Sequence, residues 1–531
     1  MTEQFAETFD VIIVGSGPTG AAYARTLADT LPTARVLMVE AGPVTTDPPG
    51  YHLSNIADDV LRTRAQLASQ GPLRGKPYAP MSEDERRIRL AGGPDHAMLR
   101  RPGLFVVGGG DIEGDGFPAG HAACNVGGMG AHWFGACPPP SREERVPFLA
   151  DDVLDNALDE ARALLRVSNT QFPESAIARP LEAVLKGLFD AGRTPGRDIQ
   201  QMPMALVRSE AGIRRSGPDV ILGKLLAAPR ANFELRPDTV CRRIIMQGPR
   251  AIGVELVGAD GAVYRVAGAC VVAAADSLHT PQLLFASGVR PAALGHYLNE
   301  HPQVSALAIF ETFEPSVFAA MLPDGVGGIL ADRSVTSLMS SGVTWIPYDG
   351  DRFPFHVQIT QTDPASLPPA DREAAGGKPV LSISFFLASE IVYDNAVSFS
   401  DTEQDWLGRP KMSIRYRLTQ RDRDRMQLAA ETWYRIANAI GRPLPGHAPR
   451  TPPNGSSLHY QGTMRMGAVD DGGSVCDPSS RVWGTDNLYV AGNGVLPTET
   501  AGNPTLTSVA LATLGARDIA RQLTAQATEV A

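Results

Sequence analysis

Three glycines and one carboxylate near the start of the chain have the spacing of a dinucleotide-binding turn. The segment GSGPTG at 15–20 has the pattern GxGxxG, and Glu40 follows it by 20 residues. In such a turn Gly15 permits the sharp bend, Gly17 lets backbone N–H groups approach a pyrophosphate, and Gly20 lets a helix pack against a strand. A carboxylate at Glu40 can accept hydrogen bonds from ribose hydroxyls and would repel the 2′-phosphate of NADP. The spacing therefore predicts a site for FAD or NAD.

The segments around this turn predict the elements that would hold it in place. The apolar run FDVIIV at 9–14 indicates a buried parallel strand, and an Ala-rich amphipathic stretch at 21–28 indicates a helix. A second apolar run at 35–39 leads directly to Glu40. Strand, glycine turn, helix and strand form a βαβ unit, which is the structural context that the motif requires.

The C-terminal region separates FAD from NAD. A strand at 487–491 is followed by a turn at Gly492 and Asn493 and by a long helix at 505–523 that opens at Asn503-Pro504-Thr505. The turn suits the phosphate and ribityl chain of a flavin cofactor. The positive end of the helix dipole can stabilise negative charge on the reduced flavin ring. We therefore predict a flavoprotein.

At these residues the chain resembles the glucose-methanol-choline (GMC) oxidoreductase family, and within it the pyranose 2-oxidases and the bacterial glycoside 3-oxidases. The segments that carry the resemblance are 1–42, GGMGAHW at 127–133, the stretch 271–289 and the region from Leu458 onward. The most specific are GTMRMG at 462–467, SRVWGTDNLYVAGNGVLPT at 480–498 and NPTLTS at 503–508. The middle of the chain is covered weakly.

The resemblance implies that His459 and Asn503 are the catalytic pair. In the family a His and an Asn face the flavin N5 and the substrate hydroxyl. A histidine suits removal of a hydroxyl proton because its pKa lies near physiological pH. The alternatives are a core histidine bonded to backbone for His459, and an N-cap followed by a proline for Asn503 and Pro504. Capping would fix the backbone and aim Asn503, so both interpretations of Asn503 can hold.

The resemblance also gives three interpretations of His132: a covalent tether of FAD, a non-covalent flavin contact, or a residue packed beside Trp133. The family's covalent motif is Ser-Thr-His-Trp, whereas this chain has Gly130-Ala131 before the histidine. We expect a residue close to the flavin and leave the covalent bond open. The glycines at 127–130 and 108–110 would let backbone lie against the cofactor, the alternative being a flexible loop. The predicted cofactor-binding residues are Gly15, Gly17, Thr19, Gly20, Glu40, Gly127, Gly128, Met129, His132, Trp133, Gly492, Asn493, Pro504 and Thr505.

Gln358 and Thr360 are predicted to contact substrate because FHVQITQTDP at 355–364 resembles the substrate loop of the pyranose oxidases. Thr360 stands where that loop has a histidine, which suggests a different sugar pose and a different oxidised carbon. The alternative is a pair of solvated polar residues on a strand edge. We interpret His279 and His301, which precede a turn or a proline, as structural.

The predicted fold class is α/β, with a Rossmann-like FAD-binding domain and an α+β substrate domain on a mainly antiparallel sheet, which is the GMC fold. Segments 1–150, 231–302 and 456–531 would build the FAD domain. Segments 151–230 and 303–455 would build the substrate domain. Helices are expected at 151–165, 178–189, 281–287 and 420–440, and strands at 233–245, 251–257, 262–266 and 269–275.

The predicted function is oxidation of a secondary ring hydroxyl of a sugar by hydride transfer to flavin N5. C3 of a glycoside is favoured, and C2 of a free pyranose comes next. O2, giving hydrogen peroxide, or a quinone would accept the electrons. The alternatives are another GMC alcohol oxidase or dehydrogenase, a non-redox lyase that contains FAD, and a non-catalytic protein that binds FAD.

Composition and charge exclude other classes of protein. The 531 residues carry 48 Lys and Arg against 58 Asp and Glu, a net charge of −10, which argues against nucleic-acid binding. Five scattered cysteines without a CxxC pair predict neither disulfides nor a metal site and favour a reducing compartment. No signal peptide and no membrane span is expected, so the predicted location is cytoplasmic. The oligomeric state stays open.

Overall fold

A computed structural model describes residues 4–69, 104–107, 116–170, 177–209, 212–227, 232–311, 342–362, 367–405 and 407–530. The helices are α1 Pro18–Thr30, α2 Asp59–Ala68, α3 Asp151–Leu165, α4 Ala178–Phe189, α5 Pro218–Leu222, α6 Asp276–Ala286, α7 Pro369–Ala375, α8 Gln420–Ile440 and α9 Thr505–Val530. The strands are β1 Glu7–Val14, β2 Val36–Val39, β3 Phe105–Val106, β4 His121–Ala122, β5 Val167–Ser168, β6 Gln200–Gln201, β7 Met204–Ser209, β8 Gly212–Arg215, β9 Phe233–Arg236, β10 Val240–Gln247, β11 Arg250–Val257, β12 Val263–Ala273, β13 Gln303–Phe310, β14 Thr344–Ile346, β15 Phe355–Gln361, β16 Val380–Leu387, β17 Ala396–Gln404, β18 Pro410–Arg415, β19 Gly441–Pro443 and β20 Leu488–Val490.

The first sheet joins the two ends of the sequence and has seven strands. Its order is β10-β11-β12-β1-β2-β9, and β20 pairs with β12 as well. The pairs β9–β2, β2–β1, β1–β12 and β12–β20 are parallel, whereas β10 and β11 add an antiparallel edge. Parallel strands in α/β proteins are buried on both faces, and the apolar runs of β1 and β2 fit this. The predicted βαβ unit is therefore present, with α1 following β1.

The second sheet has six strands in the order β19-β13-β16-β15-β14-β6, and every pair in it is antiparallel. Its core side chains, among them Phe355 and Phe385, pack with Trp433 and Ile436 of α8 in one buried cluster. The mainly antiparallel second sheet that the sequence predicts is thus observed. The division of the chain into five domain segments remains a proposal, which these two sheets support.

Three predicted helices, α3, α4 and α8, have the predicted bounds, but two other predictions were wrong in detail. The strands expected at 262–266 and 269–275 are one continuous strand, β12. Helix α6 begins at Asp276 instead of 281, and Pro281 lies inside it. Proline cannot donate to the carbonyl four residues earlier. That carbonyl, on Ser277, accepts instead from Thr463 Oγ1, so the helix continues through the proline.

Within the described ranges, no helix has both the length and the apolar character that crossing a membrane requires. The five cysteines are all buried and unpaired.

Candidate active site

A cavity of about 750 Å³ lies where the parallel strands of the first sheet end and meet the second sheet. Its wall includes Val14 and Val39 at the ends of β1 and β2, and Gln358 and Thr360 of β15. Ligand sites of about 300–1,000 Å³ are typical of proteins, and in doubly wound sheets they lie at the carboxyl ends of the strands. The cavity therefore brings the predicted nucleotide turn and the predicted substrate residues to one place.

The glycine turn between β1 and α1 has the geometry that the sequence predicts. Gly15 has φ +108°, and a Cβ there would lie 2.3 Å from the Ala274 carbonyl oxygen. A Cβ on Gly20 would lie 2.1 Å from the Gly15 oxygen, so this glycine permits the close packing of α1. No protein atom lies within 4 Å of a Cβ built on Gly17, the N-cap of α1. Gly17 and Thr19 line the cavity, so the open space in front of the helix N-terminus is available to an anionic ligand.

The Glu40 carboxylate holds the turn as well as lining the cavity. Its Oε2 accepts from the backbone N–H of Ser16 at 3.1 Å and from Ser16 Oγ at 2.7 Å, and its Oε1 accepts from Gly42 N at 3.1 Å. Burial raises the pKa of Glu40 despite these bonds. Ser16 Oγ accepts in turn from Gly127 N at 2.9 Å, which ties the second glycine segment to the first.

His132 and Trp133 follow a 3₁₀ turn, Gly128–Ala131, that lies against the first glycine turn. His132 Nε2 donates to Asn125 Oδ1 at 3.2 Å, and burial lowers the pKa of this histidine to about 4, so its ring is neutral at pH 7. Trp133 Nε1 donates to the Ser216 carbonyl at 2.8 Å. His132, Trp133, Gly128 and Met129 all line the cavity, as predicted for cofactor contacts.

The C-terminal turn forms the opposite wall. Gly492 has φ +116°, and Asn493 Oδ1 accepts from Ser508 Oγ of α9 at 2.7 Å. Gly492, Asn493, Asn503 and Thr505 line the cavity. The first turn of α9 therefore opens toward the same space as the first turn of α1.

His459 and Asn503 lie side by side in the cavity wall. Asn503 Nδ2 donates to His459 Nε2 at 2.9 Å, and Gln358 Nε2 donates to Asn503 Oδ1 at 2.8 Å. The two residues that the family resemblance pairs across 44 positions are thus in direct contact, and Gln358 fixes the orientation of the Asn503 amide. A hydroxyl that displaced this contact would find one donor, the Asn503 amide, and one acceptor, His459 Nε2.

Glu144 holds the loop that leads to Asn503. Its Oε1 accepts from the backbone N–H groups of Ala501 at 2.8 Å and Gly502 at 2.9 Å. Its Oε2 accepts from Ser141 N at 2.7 Å, and the residue is only 3% exposed. One buried carboxylate therefore fixes the backbone immediately before Asn503.

Three predicted cofactor residues do not form part of the cavity wall. Gly20 packs against Gly15, and a Cβ on Gly127 would lie 3.0 Å from Gly50 Cα, so both shape the site from behind. Pro504 accepts a hydrogen bond from Ser508 N at the start of α9. The 108–110 run lies outside the described residues. Neither Gln358 nor Thr360 is on a sheet edge, because β15 lies between β14 and β16, so that alternative was wrong.

Several residues of the site carried no signal in the sequence. Asp276 and His279 line the cavity, and His279 Nδ1 lies 2.7 Å from Asp276 Oδ2. Burial opposes ionisation of Asp276, but His279 and backbone N–H donors outweigh it, so the pKa of Asp276 is lowered. Arg215 also lines the cavity, and its guanidinium lies 5.0 Å from the centre of the Phe134 ring. His279, interpreted from the sequence as structural, lies in the cavity wall, and its interpretation as structural stays a prediction. In the described ranges, no three His, Cys, Asp or Glu side chains are grouped as a metal site.

Comparison with known proteins identifies the family to which this chain belongs. Models of the GMC oxidoreductase family, for its N-terminal and C-terminal parts, match residues 141–303 and 393–512. A C-glycoside 3-oxidase of Arthrobacter globiformis is 41% identical over 98% of this chain and 96% of its own length. A C-glycoside 3-oxidase of Microbacterium trichothecenolyticum is also 41% identical, over the full length of both chains. A pyranose 2-oxidase of Tricholoma matsutake is 30% identical over 97% of this chain and 94% of its own length.

Solved structures show the same fold. A formate oxidase variant of Aspergillus oryzae RIB40 matches 98% of this chain and 99% of its own with a TM-score of 0.67 at 16% identity. The α/β architecture with its antiparallel second sheet is therefore the GMC fold that the sequence predicts. The chain belongs to the GMC oxidoreductase family, a family of FAD flavoproteins.

Proposed function

We propose that this protein is an FAD-dependent sugar oxidase that converts the C3 hydroxyl of a glycoside to a ketone. The observation that carries the proposal is the contact of 2.9 Å between His459 Nε2 and Asn503 Nδ2 in the wall of the cavity. Two relatives at 41% identity are C-glycoside 3-oxidases, which favours C3 of a glycoside. Two relatives at 30% and 26% identity are pyranose 2-oxidases, which makes C2 of a free pyranose the second candidate.

The residues present fit FAD. The first turn of α1 offers backbone N–H groups and open space at Gly17 for the pyrophosphate, and Glu40 lies within the same wall for a ribose. His132 and Trp133 would lie against the flavin end, next to the catalytic pair. The dipole of α9 points its positive end at the same region. When bound, FAD would accept the hydride that leaves the carbinol carbon.

The chain's own groups supply the acid–base chemistry. His459 Nε2 accepts the proton of the sugar hydroxyl, and Asn503 Nδ2 donates to the same oxygen and orients it. Gln358 keeps the Asn503 amide nitrogen turned toward the substrate, since it occupies the amide oxygen. Thr360, two residues further along β15, lies in the wall where the rest of the sugar would bind. Removing a positioned general base typically costs about 10²–10⁴-fold in rate.

A substrate panel without oxygen tests the proposal. The holoenzyme is mixed with C-glycosides, O-glycosides and free glucose, and the flavin absorbance is followed. Rapid bleaching by a glycoside, with a 3-keto product identified by NMR, is the expected result. A 2-keto product would favour the pyranose 2-oxidase alternative, and product formed without bleaching would indicate a lyase. Turnover under O2 compared with turnover under benzoquinone then identifies the electron acceptor.

The role of His459 is tested in the same assay. We expect His459→Ala to slow flavin reduction by about 10²-fold or more, because the base is lost. His447→Ala is the matched control, since His447 contacts Asp371 and is not part of the cavity wall. Reduction of the His459→Ala flavin at the wild-type rate would refute the assignment.

A further inference from the structure

A second histidine lies directly behind His459. His301 is fully buried, and its Nδ1 lies 3.0 Å from His459 Nδ1, with the two rings at 68° and their centres 4.9 Å apart. On its other side, His301 Nε2 lies 2.9 Å from Thr500 Oγ1. His301 does not line the cavity, so it reaches the substrate only through His459.

The proton positions on this pair are linked to those of the catalytic contact. His459 Nε2 accepts from Asn503, so the neutral His459 ring carries its proton on Nδ1. That proton needs an acceptor, and the atom facing it is His301 Nδ1. His301 then carries its own proton on Nε2 and donates to Thr500 Oγ1, whose hydroxyl donates to Gln461 Oε1 at 2.9 Å. Every bond in this series has one donor and one acceptor, and the series leaves one contact unbonded: the Gln461 amide nitrogen, 2.9 Å from the protonated His301 Nε2.

The opposite arrangement of protons on His301 and His459 would prevent His459 from accepting a substrate proton at Nε2. Gln461 Nε2 also lies 2.9 Å from His301 Nε2 and could donate to it. His301 would then donate to His459, and the His459 proton would move to Nε2, where it faces the Asn503 donor and any substrate hydroxyl. The Asn503 amide opposes this arrangement, because Gln358 holds its nitrogen toward His459 and a proton on His459 Nε2 would face that donor. Thr500 Oγ1 favours the first arrangement, since it can accept the proton of His301 Nε2.

We propose that His301 is a positioning residue, which with Thr500 holds His459 in the one tautomer that can accept the sugar proton at Nε2. This inference rests on the proposed function of His459 as the base. His301 is interpreted from the sequence as structural, and its burial agrees with that; the positioning role is proposed in addition.

The surroundings of His301 keep it an uncharged acceptor. Burial, and the neighbouring His459 and His356, hold its pKa well below the usual range. A neutral His301 accepts the His459 Nδ1 proton more readily than a charged one could. When His459 takes the substrate proton, both of its nitrogens are donors, and the same bond to His301 Nδ1 persists.

Variants at 301 and 500 separate a positioning role from a packing role. His301→Asn places an amide where Nδ1 lies and can still accept from His459, whereas His301→Leu fills the space without an acceptor. Thr500→Val removes the acceptor for His301 Nε2 together with the donor to Gln461 Oε1, at nearly constant volume. Thr463→Val is the matched control, since it breaks a buried hydrogen bond to Ser277 outside the series.

At saturating glycoside, we expect flavin reduction to be about 10²-fold slower than wild type in His301→Leu and about 10-fold slower in Thr500→Val. The FAD content and the substrate affinity of both variants should be unchanged. His301→Asn should recover most of the rate, and Thr463→Val should match wild type. Equal rates in His301→Leu and His301→Asn, or a wild-type rate in Thr500→Val, would overturn the proposal.

A readout without substrate keeps this test independent of the proposed activity. In ¹⁵N NMR of histidine-labelled holoenzyme, the His459 signals, assigned by loss in His459→Ala, should show the Nδ1–H tautomer in wild type and a shift toward Nε2–H in Thr500→Val. An unchanged His459 tautomer in Thr500→Val overturns the proposal even if no sugar reduces the flavin. The reverse outcome, a tautomer shift without sugar oxidation, would refute the proposed function alone.

Discussion

The Glu144 carboxylate offers a sharp test of how the Asn503 amide is held. Of its three backbone hydrogen bonds, those to Ser141 and Ala501 are buried and the one to Gly502 is partly buried. At about 1.5 kcal/mol for each bond to a charged acceptor, Glu144→Ala should lower the free energy of unfolding by about 4–5 kcal/mol. Glu144→Gln can keep its carbonyl oxygen on the two loop N–H groups and should lose about 2 kcal/mol.

We expect the rate of flavin reduction to depend on the position of the loop before Asn503 rather than on the global stability of the protein. Without its anchor the backbone before Asn503 can move, and a displacement of about 1 Å in a catalytic group costs about 10²-fold in rate. We therefore expect flavin reduction at saturating glycoside to be about 10²-fold slower in Glu144→Ala, and within about tenfold of wild type in Glu144→Gln. Stopped-flow reduction without oxygen measures the rate, and urea unfolding of the holoenzyme measures the stability.

The adjacent Glu143 is exposed, so Glu143→Gln controls for the loss of one negative charge in this segment. A wild-type reduction rate in Glu144→Ala, together with the expected loss of stability, would refute the argument that this carboxylate positions Asn503. Equal rates in Glu144→Ala and Glu144→Gln would refute the claim that the bonds to Ala501 and Gly502, rather than the bond to Ser141, position Asn503.

Three further predictions concern the cofactor and pH. Gly17→Ala should leave the stability of FAD-free protein unchanged in calorimetry but weaken FAD binding at least tenfold in a flavin titration. Gly20→Ala should instead lower the free energy of unfolding by about 1–3 kcal/mol both with and without FAD. Acid precipitation should leave the flavin in the supernatant, because no hydroxyl residue precedes His132; colour in the pellet that His132→Ala abolishes would contradict this. Burial depresses the pKa of His356 to about 3, so only the unfolded chain takes up its proton as pH falls below about 6.5. Stability is therefore lost toward acid. His356→Leu should reduce the loss of unfolding free energy between pH 8 and pH 5 by about 2 kcal/mol, as measured by urea unfolding. The same pH profile in His356→Leu and wild type would contradict this prediction.

Local signals in the sequence carried the prediction of the first βαβ unit and of several helices. The GxGxxG spacing fixes the turn because only glycine tolerates the φ of Gly15 and the contact of 2.1 Å that a Cβ on Gly20 would make. Helix α8 begins where Thr419 and Asp422 form a capping box, a pattern confined to four residues. Interactions of this range can be inferred from neighbouring residues alone.

The order of the second sheet and the support of the site depend on contacts between distant residues. The strand at 200–201 pairs with β14, which begins more than 140 residues later. His301 and His459 are 158 positions apart, and Glu144 lies 357 positions before Ala501. No periodicity or spacing links such residues. The family resemblance could therefore pair His459 with Asn503, which are in contact, but the sequence could not identify the groups behind them.

The cavity wall has a consequence for biosynthesis. The lining residues range from Val14 to Ser508, so the space for the cofactor is bounded by segments that lie 494 positions apart along the chain. A nascent chain that has folded its first glycine turn still lacks the opposite wall at Gly492 and Thr505. FAD can therefore be enclosed only after the ribosome has produced the start of α9.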